Sequence, residues 1–292
     1  MLAIFDQKTG VFLLYLSQLI TVSILFLFCI AFFINAAPAI PDLFYNLTST
    51  AWNPAENKFG LLPMVYSTAL VSLIALFLSI PPALCCAIFL SEYLLKSHRN
   101  IIKSLLELLA GIPSIVYGLL GIQFLAPFVA HVGGVGIGRS ILTASILLAV
   151  MVLPLIMTLS EDALHRIPNS FRESSFALGL TKTESIFTVL LPMAWPGILG
   201  AFILAMGRAL GETMAVMLVI GSIDRLPSPI YNLLQPGQTL TSKLGREFGE
   251  VSVGSLHFNH LVLIGLLLFI AVMIISFIAQ NLLKSKGYSS YE

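Results

Sequence analysis

Six long apolar runs divide the chain, at about residues 11–34, 64–91, 104–130, 140–159, 196–222 and 261–283. Between them lie short stretches rich in charge, proline and glycine. About 20 apolar residues suffice to cross a bilayer as a helix. A helix satisfies each backbone polar group within its own segment, so six membrane-spanning helices are the expected elements. The third run carries Pro113 and Pro127 and is expected to kink or break. Ala36 and Ala37 after the first run imitate a signal-peptidase site. That run is too long for a signal h-region of about 7–15 residues, and only Lys8 precedes it as a positive charge, so it reads as an uncleaved first span.

Composition agrees with this pattern. Of 292 residues, 58% are hydrophobic and 10% charged, against about 25% charged in a soluble domain. A net charge of +1 offers no basic face for nucleic acid. Cys29, Cys85 and Cys86 lie inside apolar runs and read as small hydrophobes, with neither metal-ligand spacing nor a disulfide framework. If the N-terminus is cytoplasmic, nine Lys/Arg (Lys8, Lys96, Arg99, Lys103, Arg166, Arg172, Lys182, Lys284, Lys286) fall inside and five (Lys58, Arg139, Arg225, Lys243, Arg246) outside. The positive-inside bias therefore places both termini in the cytoplasm. The outer loop 223–260 has its own polar pattern and is a candidate to fold onto the outer mouth.

The cytoplasmic segment 160–195 carries helix punctuation. Ser170 with Glu173, and Thr181 with Glu184, have capping-box spacing. Gly179 stands between them where an αL cap is expected, and Pro192 is expected to end the second helix. Phe171, Phe176 and Leu178 would project apolar surface from this loop. By these signals alone it reads equally as a docking element or as a loop packed under its own bundle.

The fifth run carries Arg208 and Glu212. Counted from Pro196, Arg208 falls about 18 Å along the helix, near the bilayer midplane, with Glu212 one turn further on the same face. Charges at such depth face a bundle interior and are functional candidates. The Arg208 guanidinium offers a forked donor to oxyanions, while Glu212 can neutralise it or accept a hydrogen bond from a protonated phosphate. The plainer alternative is an ion pair that fixes packing. Gly207 and Gly211 form a GxxxG row suited to close approach of another helix.

Other chemistry is sparse. Glu107, His131, His165, His257 and His260 show no paired metal spacing and read as surface or helix-end residues. Gly133–Gly138 reads as a loop. There is no G-x-x-x-x-G-K-S/T run, so ATP use would fall to a partner. No cofactor, metal site or catalytic constellation is expected.

Glu173-Ser-Ser-Phe-Ala-Leu-Gly179, nine residues, then Val189-Leu-Leu-Pro192 resembles the EAA loop of ABC importer permeases, with Ser174 and Ser175 in place of two alanines. The runs Phe59–Pro63, Phe89-Leu-Ser-Glu-Tyr93, Leu106–Gly118, Leu159-Ser-Glu-Asp-Ala-Leu164 and Gly207–Val216 resemble phosphate importer permeases, of the PstC type more than the PstA type. The resemblance implies an all-α integral membrane protein of MetI-like fold. It divides the chain into an N-terminal tail, first span and outer loop (1–58), a permease core (59–283) and a cytoplasmic tail (284–292). It implies that Arg172, Glu173, Ser174, Ser175, Gly179 and Pro192 belong to an ATPase coupling loop, and that Arg208 and Glu212 belong to the transport path. The implied partners are a PstA-like second permease, a PstB-like ATPase dimer and an external PstS-like phosphate-binding protein, in a bacterial inner membrane. Alternatives are the PstA-like position, a permease for another oxyanion, or a non-conducting scaffold or sensor that docks an ATPase. A membrane enzyme is disfavoured, because no nucleophile–base pair is visible.

Overall fold

A computed structural model describes residues 7–285. Met1–Asp6 and most of the tail 284–292, Lys286 included, lie outside the described residues. In chain order the helices are α1 (Gln7–Ala36), α2 (Leu43–Thr48), α3 (Leu62–Ile88), α4 (Lys96–Ala110), α5 (Ser114–Leu120), α6 (Ala126–Gly133), α7 (Ile141–His165), α8 (Asn169–Ala177), α9 (Lys182–Ser185), α10 (Leu191–Gly211), α11 (Met214–Val219), α12 (Leu240–Glu247) and α13 (Leu256–Ser285). Two-residue strands β1 (Trp52–Asn53) and β2 (Lys58–Phe59) form an antiparallel hairpin, with Trp52 opposite Phe59. Among the described residues, six helical segments are long and apolar enough to cross a membrane.

α3 and α7 form the central pair, with α10 and α11 packed against them. Their contact surface is lined by Ala75, Ala83, Ala87, Ala144 and Ala149, whose short side chains let backbones approach. Gly197 of α10 meets α7 so closely that a Cβ there would lie 2.5 Å from the Ala163 Cβ. Several hydroxyls buried among these helices bond to their own helix, as Ser145 does to the Ile141 carbonyl at 2.8 Å. Phe77 and Leu73 of α3 stay exposed on the opposite side, as a lipid-facing surface requires.

The third run breaks as its prolines predict, and three other helix boundaries differ from expectation. The third run divides at Gly111–Pro113, so residues 96–110 form a separate amphipathic helix and the span covers Ser114–Gly133. Pro113 stands at the N-cap of α5, where its missing N–H interrupts nothing. The fifth span begins at Lys182 rather than Pro196. Pro192 does not end a helix, because a π-turn at Ile186–Leu190 precedes it and α9 passes continuously into α10. A π-turn carries one extra residue and shifts the hydrogen-bond register, which accommodates the proline ring. The same device precedes Pro127, with a π-turn at Gly121–Leu125. Finally, α10 stops at Gly211. Glu212 takes an extended conformation (φ −68°, ψ 121°) before α11 starts.

A helix break and a docking loop as candidate functional site

The break between α10 and α11 separates the two residues expected on one face. Arg208 sits in the last turn of α10, whereas Glu212 lies outside the helix. The depth obtained by counting from Pro196 therefore does not apply. No ion pair joins Arg208 to Glu212 among the described residues. Instead the Glu212 carboxylate accepts from the Ala215 backbone N–H at 3.3 Å, an N-cap-like bond to the first turn of α11. The Arg208 Nε is buried and has no hydrogen-bond partner. A donor left unmet at such a position is costly unless a ligand or water completes it. Arg208 also lies within electrostatic reach of Tyr117, whose hydroxyl donates to the Leu109 carbonyl at 2.9 Å across the α4–α5 break.

From the other side α12 closes on this break. Thr241 Oγ1 donates to the Glu212 carbonyl at 2.8 Å, and Gly245 is so close to Thr213 that a Cβ would approach its Cγ2 to 2.7 Å. Thr239 and Ser242 cap α12 reciprocally. Thr68 of α3 accepts the Leu240 N–H at 2.9 Å. Hence the 223–260 segment is folded onto the bundle. Its anchor is Lys243, 1% exposed, with Nζ 2.5 Å from both Asp224 Oδ2 and Glu247 Oε1 and 4.7 Å from the Trp52 ring centre. His257 bonds Glu247 at 2.9 Å, and His260 stacks on Phe59 at 3.8 Å. His260 is buried in the first turns of α13, so only its helix-end placement agrees with the sequence reading. In sequence Lys243 reads as a loop cation; the Thr239–Ser242 spacing is the available signal that this loop contains a helix.

At the far end of α3 and α7 stands the 160–195 loop, the candidate docking element. Gly179 has φ +83° and ends α8 in a Schellman arrangement: its N–H donates to the Phe176 carbonyl at 2.9 Å, and the Leu180 N–H to the Ser175 carbonyl at 3.1 Å. The Thr181–Glu184 capping box forms in full. The Ser170–Glu173 box does not, because Pro168 takes the N-cap position and starts α8 at Asn169, placing Ser170 inside the helix. Glu173 and Ser174 are exposed. Ser175 is buried, and its Oγ lies 2.6 Å from Ser185 Oγ, stitching α8 to α9. Phe171, Phe176, Leu178 and Phe187 are 41%, 49%, 83% and 58% exposed, an apolar surface that a loop buried under its own bundle would not leave open.

Carboxylates that sequence reasoning does not assign, Glu92, Glu161 and Asp162, hold this end together. Arg99 and Lys103 of α4 converge on the buried Glu161 of α7 at 2.5 and 3.2 Å, and Lys103 also pairs with Asp162. Burial lowers the Lys103 pKa, but Asp162 and Glu161 outweigh it and leave the ammonium above the ordinary lysine value. Arg172 binds Glu92 through two donors. The only sequence signal for these carboxylates is their place in the Phe89–Tyr93 and Leu159–Leu164 runs.

The family model described as "Binding-protein-dependent transport system inner membrane component" matches residues 83–286, from the last turns of α3 through the 160–195 loop to α13. The chain belongs to this family. Relatives of this permease include the phosphate transport system permease protein PstC of Mesorhizobium japonicum, 37% identical and aligned over 82% of this chain and 78% of that protein. The probable PstC of Methanocaldococcus jannaschii is 33% identical over 92% of this chain and 91% of its own. Among solved structures, the MetNI methionine ABC transporter in inward-facing form matches with a TM-score of 0.61 at 21% identity, over 77% of this chain and 95% of that one. A bacterial alginate ABC transporter matches with a TM-score of 0.62 at 15% identity, over 92% and 93%. These two likenesses establish the permease fold, a multi-pass membrane bundle of MetI-like architecture.

Proposed function

We propose that this chain is the PstC-type permease subunit of an ATP-driven inorganic phosphate importer. The likeness to PstC permeases, extending over 78% to 91% of their length, carries this reading. In it, the docking loop faces the cytoplasm and both termini lie on that side. Phe171, Phe176 and Leu178 enter a cleft of a PstB-like ATPase, while Glu173 and Ser174 border the contact. An external phosphate-binding protein delivers its cargo to the opposite face, where α12 and the hairpin lie.

A PstA-like second permease completes the path. Gly207 and Gly211 support this, because among the described residues no atom beyond their own stretch of helix lies within 4 Å of a Cβ placed on either. Their row is thus free for a helix from another subunit. Arg208 would meet the passing anion with a donor that the chain leaves unmet. Glu212, held on the first turn of α11, would set a negative counterweight that prevents the anion from being trapped.

The test is phosphate uptake into vesicles carrying the assembled complex, normalised to complex. Arg208→Gln should abolish uptake while assembly persists. Arg208→Lys, which keeps the charge and loses the fork, should retain part of it. Glu212→Gln should bind phosphate and release it slowly. Full uptake by the double variant Arg208→Gln, Glu212→Gln would reduce the two residues to packing devices.

A further inference from the structure

The last turn of α3 opens into a π-turn, Phe89–Tyr93, and both short helices of the docking loop grip it. From α8, Arg172 Nη2 donates to Glu92 Oε1 at 2.7 Å and Nε to Glu92 Oε2 at 3.1 Å. The side chains are 16% and 6% exposed, so little water competes for this pair. The same guanidinium donates to the Ile167 carbonyl at 2.7 Å and the Leu164 carbonyl at 3.1 Å, at the end of α7. From α9, Lys182 Nζ stands 4.3 Å from the centre of the Tyr93 ring. Ser91 completes the turn by donating to Glu92 Oε1 at 2.9 Å.

The π-turn gives this arrangement its reach. One extra residue per turn displaces the side chains that follow it and ends α3 on residues aimed off its own helical rows. Glu92 accepts both arms of a planar fork, a geometry that fixes orientation as well as distance. Its partner is simultaneously tied to α7. Three elements therefore meet at one carboxylate: the base of α3, the end of α7 and the first docking helix. α3 then runs the depth of the bundle to Thr68, which holds the N-terminus of α12 beside the helix break.

We infer that Glu92 is a positioning residue that locks α8 and α9 to the base of α3, so that displacement of the docking loop moves α3 with it as one body. Glu92 acts through Arg172 and touches no substrate. The inference rests on the reading of residues 160–195 as an ATPase docking loop. It adds the residue through which motion leaves the loop.

The experiment uses the full complex in lipid nanodiscs, with Cys29, Cys85 and Cys86 replaced by serine and spin labels at Ser170→Cys and Phe77→Cys. Both sites are exposed, one in the first turn of α8 and one on α3. In the parent, the label–label distance distribution should be narrow and identical with and without ATP bound to the ATPase. In Glu92→Gln it should broaden and become nucleotide-dependent. In Glu92→Gln vesicles, phosphate transported per ATP hydrolysed should fall roughly tenfold, the factor that about 1.4 kcal/mol of lost fastening produces. ATPase binding and the half-saturating phosphate concentration should not move, and Glu92→Asp should recover part of the ratio. An unchanged distance distribution in Glu92→Gln, or equal losses of hydrolysis and uptake, would overturn the inference. A parent complex that binds no ATPase, or that hydrolyses ATP without moving phosphate, would instead overturn the reading on which it rests.

Discussion

Lys243 offers a sharp test of how the α12 segment is held. The proposed change is Lys243→Met, which keeps the length of the side chain and removes its charge. Asp224 and Glu247 then face each other without the ammonium that lies 2.5 Å from both. Breaking a buried pair by removing one partner costs about 3–5 kcal/mol. The carboxylates retain 23% and 19% exposure, so water relieves part of this, and about 3 kcal/mol remains. Loss of the cation 4.7 Å from the Trp52 ring adds about 1 kcal/mol. At about 2–4 °C per kcal/mol, the melting temperature in detergent should fall by roughly 10 °C. The assay is loss of the monodisperse peak in size-exclusion chromatography after heating. Adding Asp224→Asn to Lys243→Met should restore more than half of the loss, since it removes one uncompensated charge. A Lys243→Met protein melting within about 2 °C of the parent would refute the reasoning. So would a double variant no more stable than the single one.

Further expectations concern the docking loop and the topology. Gly179→Val should assemble in the membrane yet lose ATPase binding in a pull-down, because φ +83° strains any β-branched residue although no atom lies within 4 Å. Gly179→Asn, which tolerates αL, should keep most of that binding. Thr181→Ala removes a complete capping box and should destabilise α9 by about 1 kcal/mol, seen as faster amide exchange over residues 182–190. In a cysteine-free background, Leu178→Cys should label only from the cytoplasmic side and Val253→Cys only from outside. Both positions are more than four-fifths exposed, at 83% and 82%.

Much of the bundle is legible in the sequence because hydropathy over a span is a sum over many residues, insensitive to any one of them. The six spans follow from such signals, and the Gly179 bend from a residue type suited to positive φ between two capping signals. Boundaries depend on single residues and are less legible. Pro192 reads as a terminator unless the π-turn before it is known, and no local pattern announces a π-turn. The stop at Gly211 is hidden because Met214–Val219 is as apolar as the helix it follows. Arg208 and Glu212 are visible as charges in an apolar run, whereas their separation by a helix end is not. Ser170 reads as a cap, yet Pro168 takes the same role two residues earlier. Glu92, Glu161 and Lys243 escape because a charge beside a loop reads as solvated; only tertiary contact reveals that each is buried.

The open row on α10 changes what one chain can contain. Among the described residues, a Cβ placed on Gly200, Gly207 or Gly211 would meet no atom beyond its own stretch of helix within 4 Å, and Leu204 between them is 59% exposed. In the proposed complex the surface beside Arg208 would form one bank of a channel, with the other bank left to a second permease. A solitary subunit would then enclose no anion and offer no leak, however much of it were made. Permeability would arise only at the moment of pairing, so unequal production of the two permeases would cost the cell no phosphate.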